Sequence, residues 1–253
     1  MATREERAGS FGAVADVYDR VRPGPPAAAL DWLLPQTCRR AADLGAGTGL
    51  FTRALAQRVP DVVGVEPDQR MRLVLRDRSP GVHVVGARAE ALPVRDGVMD
   101  AVCASSSWHW VDPVQAVPEV ARVLRDGGRL ALIWTSRDRE VEWVRSLDRL
   151  RTSTDRGTDQ QVLAQRRPRD VVLPDPSPFV NAATASFTFS RPMTIDELVQ
   201  WVGTYSGVLT APPREREQGL QRVRTAVADR FGEDAVVDVP MRSWCWRADR
   251  EPG

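Results

Sequence analysis

The chain has 253 residues, enough to bury a full core as one domain with an insertion, or as one large and one small lobe. Its 35 basic and 34 acidic side chains leave a net charge of +1, which excludes the electrostatic footprint of a nucleic-acid or anionic-membrane binder. Apart from two His, every base is Arg, so Schiff-base chemistry and Lys-dependent phosphate loops are excluded as well.

Cys38, Cys103 and Cys245 are widely separated, odd in number and without metal-ligand spacing, so neither a disulfide framework nor a bound metal is expected. The first residues, Met1 to Arg7, are charged with no apolar run behind them, and no stretch approaches membrane-spanning length. These features predict a soluble, cytoplasmic protein with no membrane or nucleic-acid partner.

Residues 1 to about 10 are polar and read as a frayed end. Phe11, Val14, Val17, Tyr18 and Val21 predict a short helix, Arg22-Pro-Gly-Pro-Pro a turn, and Ala27 to Leu34 a second helix. Short apolar runs near 40–44, 62–66, 82–85, 98–103 and 128–134 predict parallel strands covered on both faces. Between them Phe51, Ala54, Leu55 and Val59 make one helical stripe, from Thr48 to about Val59. Val114, Val117, Ala121 and Leu124 make another. Pro118 would remove a hydrogen bond from that second helix and predicts a late start or a kink. Asp126-Gly127-Gly128 reads as a helix stop and turn. His83, on a buried-strand pattern, reads as structural.

Beyond 137 the composition shifts, and Arg, Gln, Asp and Pro dominate 151–178. Thr194-Ile-Asp-Glu197 is a capping-box signature opening a helix with Leu198, Val199 and Trp201. Ala185 to Ser190 and Val239 to Arg247 alternate as strands do.

The richest chemistry lies after the first strand. Asp43 precedes Gly45, Gly47 and Gly49, which feed a helix N-terminus. Glycines there let a ligand approach the backbone, and the open N–H groups favour anionic or polar ligand atoms. Seventeen residues after Gly49, the second strand ends at Glu66, a carboxylate suited to accept both hydroxyls of a ribose. The pairing predicts a nucleoside cofactor. A dinucleotide fingerprint would need a glycine at position 50, where Leu50 stands, so a nicotinamide dehydrogenase is disfavoured.

The run acid-x-Gly-x-Gly-x-Gly resembles motif I of the class I S-adenosylmethionine-dependent methyltransferases. Four further segments resemble that family in order: Gly64-Val-Glu66-Pro67-Asp68; Arg88-Ala89-Glu90-Ala-Leu92-Pro93; Asp100 to Cys103 followed by Trp108-His109-Trp110; and Val123 to Trp134. The likeness covers about residues 11–138 and is nearest the small-molecule branch that includes trans-aconitate and quinone-biosynthesis methyltransferases.

The resemblance implies an α/β, Rossmann-like seven-stranded methyltransferase sheet with helices on both faces, its last strand antiparallel. A mostly helical lid would be inserted between strands five and six. The implied organisation is an N-terminal cap over cofactor and substrate (1–35), a cofactor-binding core (36–136), a substrate lid region including strand six (137–235) and a last strand (236–253). S-adenosylmethionine is the implied cofactor, leaving as S-adenosylhomocysteine, and a small molecule the implied methyl acceptor. Asp43, Gly45, Ala46 and Gly47 would serve its methionine part and Glu66 the ribose. Pro67 or Met71 would pack on the adenine, Ala89 and Glu90 belong to the adenine loop, and Ser105 ends the fourth strand beside it. Arg88 departs from the family's small or acidic side chain. Its guanidinium cannot accept a hydrogen bond from the adenine amine, though it could stack on the ring.

For the acceptor, Trp108, Trp110 and Trp134 would form an aromatic wall, with Tyr18 and Arg22 contributed by the N-terminal segment. His109 either takes the acceptor's proton or positions the acceptor, two roles that look alike in sequence. The expected reaction is transfer to an oxygen or nitrogen atom. The alternatives are a carboxylate acceptor of the trans-aconitate type, which needs no base, and a cofactor-binding protein without catalysis.

Overall fold

The computed structural model describes residue 19, residues 21–150 and residues 171–253. Tyr18 and most of the polar 151–178 stretch therefore lie outside the described residues. In chain order the elements are α1 (Ala27–Leu33), β1 (Arg40–Leu44), α2 (Leu50–Ala56), β2 (Asp61–Val65), α3 (Gln69–Arg78), β3 (His83–Val85), β4 (Met99–Ser105), a 3₁₀ turn (Trp108–Trp110), α4 (Pro113–Val123) and β5 (Leu124–Arg137). Then follow α5 (Glu142–Leu150), β6 (Phe179–Thr194), α6 (Ile195–Gly203), α7 (Ser206–Leu209), α8 (Pro213–Phe231) and β7 (Val236–Arg250). The seven strands form one sheet in the order β3-β2-β1-β4-β5-β7-β6.

The chain divides into two compact units. Among the described residues the larger comprises 24–135, 171–187 and 243–253. Here β1 runs parallel to β2 and β4, β2 to β3, and β4 to β5, so the carboxyl ends of these strands share one edge. Successive strand residues alternate between two apolar layers. Ala42, Val102, Ala104, Leu130 and Leu132 pack with Val117, Val120 and Ala121 of α4. Ala41, Ala101, Cys103, Ala131 and Ile133 pack with Leu30 and Leu33 of α1 and Phe51 and Leu55 of α2. The two-residue period of a strand thus buries both faces, as the unbroken apolar runs predict. The second helix of the N-terminal segment, α1, packs within this unit.

Among the described residues the smaller unit comprises 19, 21–23, 136–150 and 188–242. Its core joins Leu147 of α5, Leu198 and Trp201 of α6, Val223 and Val227 of α8, and Val239 and Met241 of β7. The capping box at the start of α6 is formed: Thr194 Oγ1 accepts the Glu197 N–H at 3.2 Å, and Glu197 accepts the Thr194 N–H at 2.8 Å.

Five sequence expectations are corrected. Asp126-Gly127-Gly128 is not a turn between helix and strand but lies inside β5, as an irregularity in its ladder with β4. α2 begins at Leu50 rather than Thr48, because Gly49 sits at φ +89°, outside helical space. α4 neither starts late nor breaks at Pro118: Asp112 caps it by accepting the Val114 N–H at 3.0 Å, Pro113 occupies the first turn, and the helix continues to Val123. Only the bond to the Val114 carbonyl is lost, one turn back at an exposed residue. His83 is exposed rather than buried, because β3 lies at one edge of the sheet. The helical insert is also distributed differently. Among the described residues α5 alone lies between β5 and β6, whereas α6, α7 and α8 lie between β6 and β7.

Candidate active site

The turn after β1 is built by three left-handed glycines. Gly45, Gly47 and Gly49 have φ of 64°, 58° and 89°, a region that side chains with a Cβ resist. The first two solve different problems. A Cβ at Gly45 would stand 2.5 Å from Ser107 Cβ, so its absence admits the loop after β4. A Cβ at Gly47 would meet no atom of the described residues within 4 Å, so among them this glycine lines open space. Gly49 closes the turn against α3, where Leu75 occupies the room a side chain would need.

Glu66 locks the turn to the end of β2. Its Oε2 accepts the Gly47 N–H at 2.8 Å and its Oε1 the Asp68 N–H at 2.8 Å. Each oxygen keeps a further lone pair for a ligand donor. Burial pushes the Glu66 carboxyl above the usual range, opposed by the N–H donors of Asp68 and Gly47. Asp68 in turn caps α3 by accepting the Arg70 N–H at 2.8 Å. Met71 is buried on that helix, while Pro67 is exposed.

Asp43 is wholly buried on β1. Its Oδ2 accepts the Thr52 hydroxyl at 2.7 Å, and its Oδ1, equally buried, has no hydrogen-bond partner among the described residues. Burial pushes this carboxyl up to about 7, Thr52 works against the shift, and the Glu66 charge adds to it. Thr48 Oγ1, in the glycine turn, is likewise buried without a partner among the described residues.

After β3, Arg88 is exposed and Ala89 is buried. Glu90 Oε1 accepts the Asp112 N–H at 2.9 Å, and its Oε2 lies 3.7 Å from Arg88 Nε. The guanidinium at position 88 is thus held towards a carboxylate two residues on.

After β4, Ser105 is half-buried, and Ser106 reverses the chain with φ +54°. Ser107 then donates its hydroxyl to the Leu44 carbonyl at 2.5 Å, fastening this loop to the glycine turn. The one-turn helix Trp108–Trp110 follows at once. Trp108 is buried in the same apolar cluster as Trp134 of β5, whose buried Nε1 has no partner among the described residues. His109 and Trp110 are half-buried, their rings 4.6 Å apart and tilted by 46°.

The larger unit therefore brings together, along the shared strand edge, Asp43 to Gly47, Glu66, Ala89, Glu90, Ser105 and the Trp108–Trp110 turn. Arg22 belongs to the smaller unit. Its Nε donates to Thr204 Oγ1 and its Nη2 to the Thr204 carbonyl, both at 3.1 Å, and its Cζ lies 5.0 Å from the Tyr205 ring centroid. Arg137, with no exposed side-chain surface, approaches the same ring at 5.0 Å. Burial would raise the Tyr205 phenol, but Arg137, Arg22 and Arg139 outweigh it and the net direction is downward. Tyr205 and Ser107 carry no local sequence signal because their partners stand far along the chain, and Thr52 carries none because its hydroxyl reaches back across the glycine turn to Asp43.

A family described as a methyltransferase domain matches residues 42–132. An uncharacterised methyltransferase of Mycobacterium tuberculosis is 40% identical over 226 residues, covering 89% of this chain and 88% of its own. A solved structure from Anaeromyxobacter dehalogenans, assigned to the type II methyltransferases, matches with a TM-score of 0.69 at 24% identity, over 92% of this chain and 99% of that one. A Haemonchus contortus phosphoethanolamine N-methyltransferase, solved with phosphomonomethylethanolamine and S-adenosylhomocysteine, shares the fold at a TM-score of 0.57 and 14% identity, over 100% of this chain and 61% of that one.

Proposed function

This chain belongs to the class I S-adenosylmethionine-dependent methyltransferases, and from that premise we propose that it methylates an oxygen or nitrogen atom of a small molecule held at the Trp108–Trp110 turn. S-adenosylmethionine is the cofactor. Three features of the edge fit it. Gly47 lines open space, Glu66 has acceptor capacity left after its two backbone bonds, and Asp43 Oδ1 is a buried oxygen awaiting a donor.

In this reading Asp43, Gly45, Ala46 and Gly47 hold the methionine-derived end, Glu66 the ribose, and Met71, Ala89 and Glu90 surround the adenine. Bound there, the cofactor supplies an electrophilic sulfonium methyl group. The protein's part is to align the acceptor, exclude water and take a proton where the acceptor carries one. His109 is the side chain we assign to the proton, with Trp108, Trp110 and Trp134 forming the apolar wall.

The observation that carries the acceptor reading is the bond from Ser107 Oγ to the Leu44 carbonyl at 2.5 Å. It holds the loop bearing an imidazole and two indoles beside the glycine turn, at the strand edge where α/β sheets take their ligands. The pairing of flat apolar surface with one base suits a phenol or an amine. Incubation with S-adenosylmethionine and a panel of phenols, amines and small carboxylic acids, read as S-adenosylhomocysteine by mass spectrometry, tests it. Turnover of phenols or amines is expected; turnover confined to carboxylic acids would replace this reading with a carboxylate acceptor.

A further inference from the structure

The Asp43 carboxylate has one oxygen satisfied and one bare. Oδ2 takes the Thr52 hydroxyl at 2.7 Å, whereas Oδ1 is buried without a partner among the described residues. The register across the sheet places Gly64 on β2 beside it, with no side chain to offer, and Cys103 on β4. Among the described residues the groups that act on it are Thr52 from α2, Glu66 from the end of β2 and the Cys103 thiol, and none of these is a cation. Burial holds the Cys103 thiol neutral, well above its ordinary range, and the charge on Asp43 pushes it further the same way.

A buried carboxylate with a bare oxygen and a second acid nearby is strongly disfavoured as an anion. A proton on that oxygen removes the charge and leaves only an unpaired O–H, the smaller cost of the two. We propose that the cofactor-free protein keeps a proton on the bare, buried Asp43 Oδ1, and that cofactor binding expels it to solvent. The proposal rests on the assignment of Asp43 to the cofactor's methionine-derived end. The O–H bond breaks, its electron pair stays on the carboxylate, the proton passes to buffer, and the ligand's ammonium balances the new charge. Capture of the cofactor is then coupled to loss of one proton, and affinity rises with pH until Asp43 is already ionised.

The carboxyl's position near 7 sets the window. Binding at pH 6 releases about one proton per site, and binding at pH 8 close to none. Affinity falls about tenfold for each unit of pH below 7. Glu66, also raised, titrates in the same direction and must be separated.

Isothermal calorimetry with S-adenosylhomocysteine, in buffers of different ionisation enthalpy at pH 6 and pH 8, counts the protons directly. The expected result for the wild type is release at pH 6 and almost none at pH 8. Asp43→Asn should release none at either pH, while Glu66→Gln, though weaker in binding, should keep the release at pH 6. Binding by the wild type without proton release would overturn the coupling and leave the methyltransferase assignment standing. So would release that persists in Asp43→Asn or vanishes in Glu66→Gln, since the proton would then belong elsewhere. A wild-type protein that binds no S-adenosylhomocysteine would sink the cofactor reading and the coupling together.

Discussion

The backbone N–H of Gly47 donates to Glu66 Oε2 at 2.8 Å, so the turn after the first strand and the acid after the second are one hydrogen-bonded unit. Nineteen residues separate them in sequence, and the parallel pairing of β1 with β2 brings their ends side by side. Glu66 therefore shapes the glycine turn, and each of its oxygens keeps a lone pair beyond its backbone bond.

The first two glycines of the turn separate stability from binding. Gly45→Ala should lower the melting temperature sharply, because the new Cβ meets Ser107 at 2.5 Å and the backbone is left-handed. Gly47→Ala should cost only about 1–2 kcal/mol for its left-handed φ, yet weaken S-adenosylhomocysteine binding by about tenfold or more as its methyl enters the ligand's space. Adding Ser107→Gly to Gly45→Ala should recover part of the lost stability. Equal losses of stability in the two single variants would show that the turn is merely structural.

Asp43 also predicts a pH dependence of stability in the absence of ligand. Its carboxyl stands at about 7 in the fold against an ordinary 3.8. The folded state therefore binds more protons than the unfolded between these values, and the contribution present below about pH 4 is lost as pH rises to about 7. The neutral amide of Asp43→Asn carries no such loss. Measured by urea denaturation, Asp43→Asn should gain stability relative to wild type from pH 4 to 7, by a few kcal/mol in all, and level off above. A constant difference across that range would place the charge in an environment that solvates it.

His109 distinguishes the acceptor chemistries. With a phenolic or amine acceptor, kcat/KM should fall on the acid side, and His109→Ala should remove that limb and lower kcat by about 100-fold or more. A profile flat from pH 6 to 8, with His109→Ala raising only KM, would identify His109 as a binding residue and the acceptor as already ionised.

Much of this was legible in the sequence because the cues are local. The glycine turn, the acid at the end of the second strand and the capping box at Thr194 each depend on neighbouring residues, and each stands where the spacing puts it. Element ends were less legible. β5 begins at Leu124, ahead of Asp126-Gly127-Gly128, because those glycines make an irregularity within the ladder: Met99 pairs with Leu124 and Ala101 with Arg129. Contacts across the fold were not legible at all. Nothing near Thr52 announces that its hydroxyl serves Asp43. Nothing in Ser105-Ser106-Ser107 says which serine ties down the Trp loop, nor does Arg22 reveal that its guanidinium is committed to Thr204.

We propose that the carboxyl edge of β1 and β2 is an adenosyl-cofactor site with Glu66 at its centre. Calorimetric titration of S-adenosylhomocysteine into wild-type and Glu66→Ala protein at pH 8, with NAD as the comparison ligand, tests it most directly. Wild type should bind S-adenosylhomocysteine and not NAD, and Glu66→Ala should lose about 1–3 kcal/mol, the size of hydrogen bonds to a charged group. Equal affinity in the two proteins would remove Glu66 from the site, and binding of NAD would overturn the adenosyl-cofactor assignment.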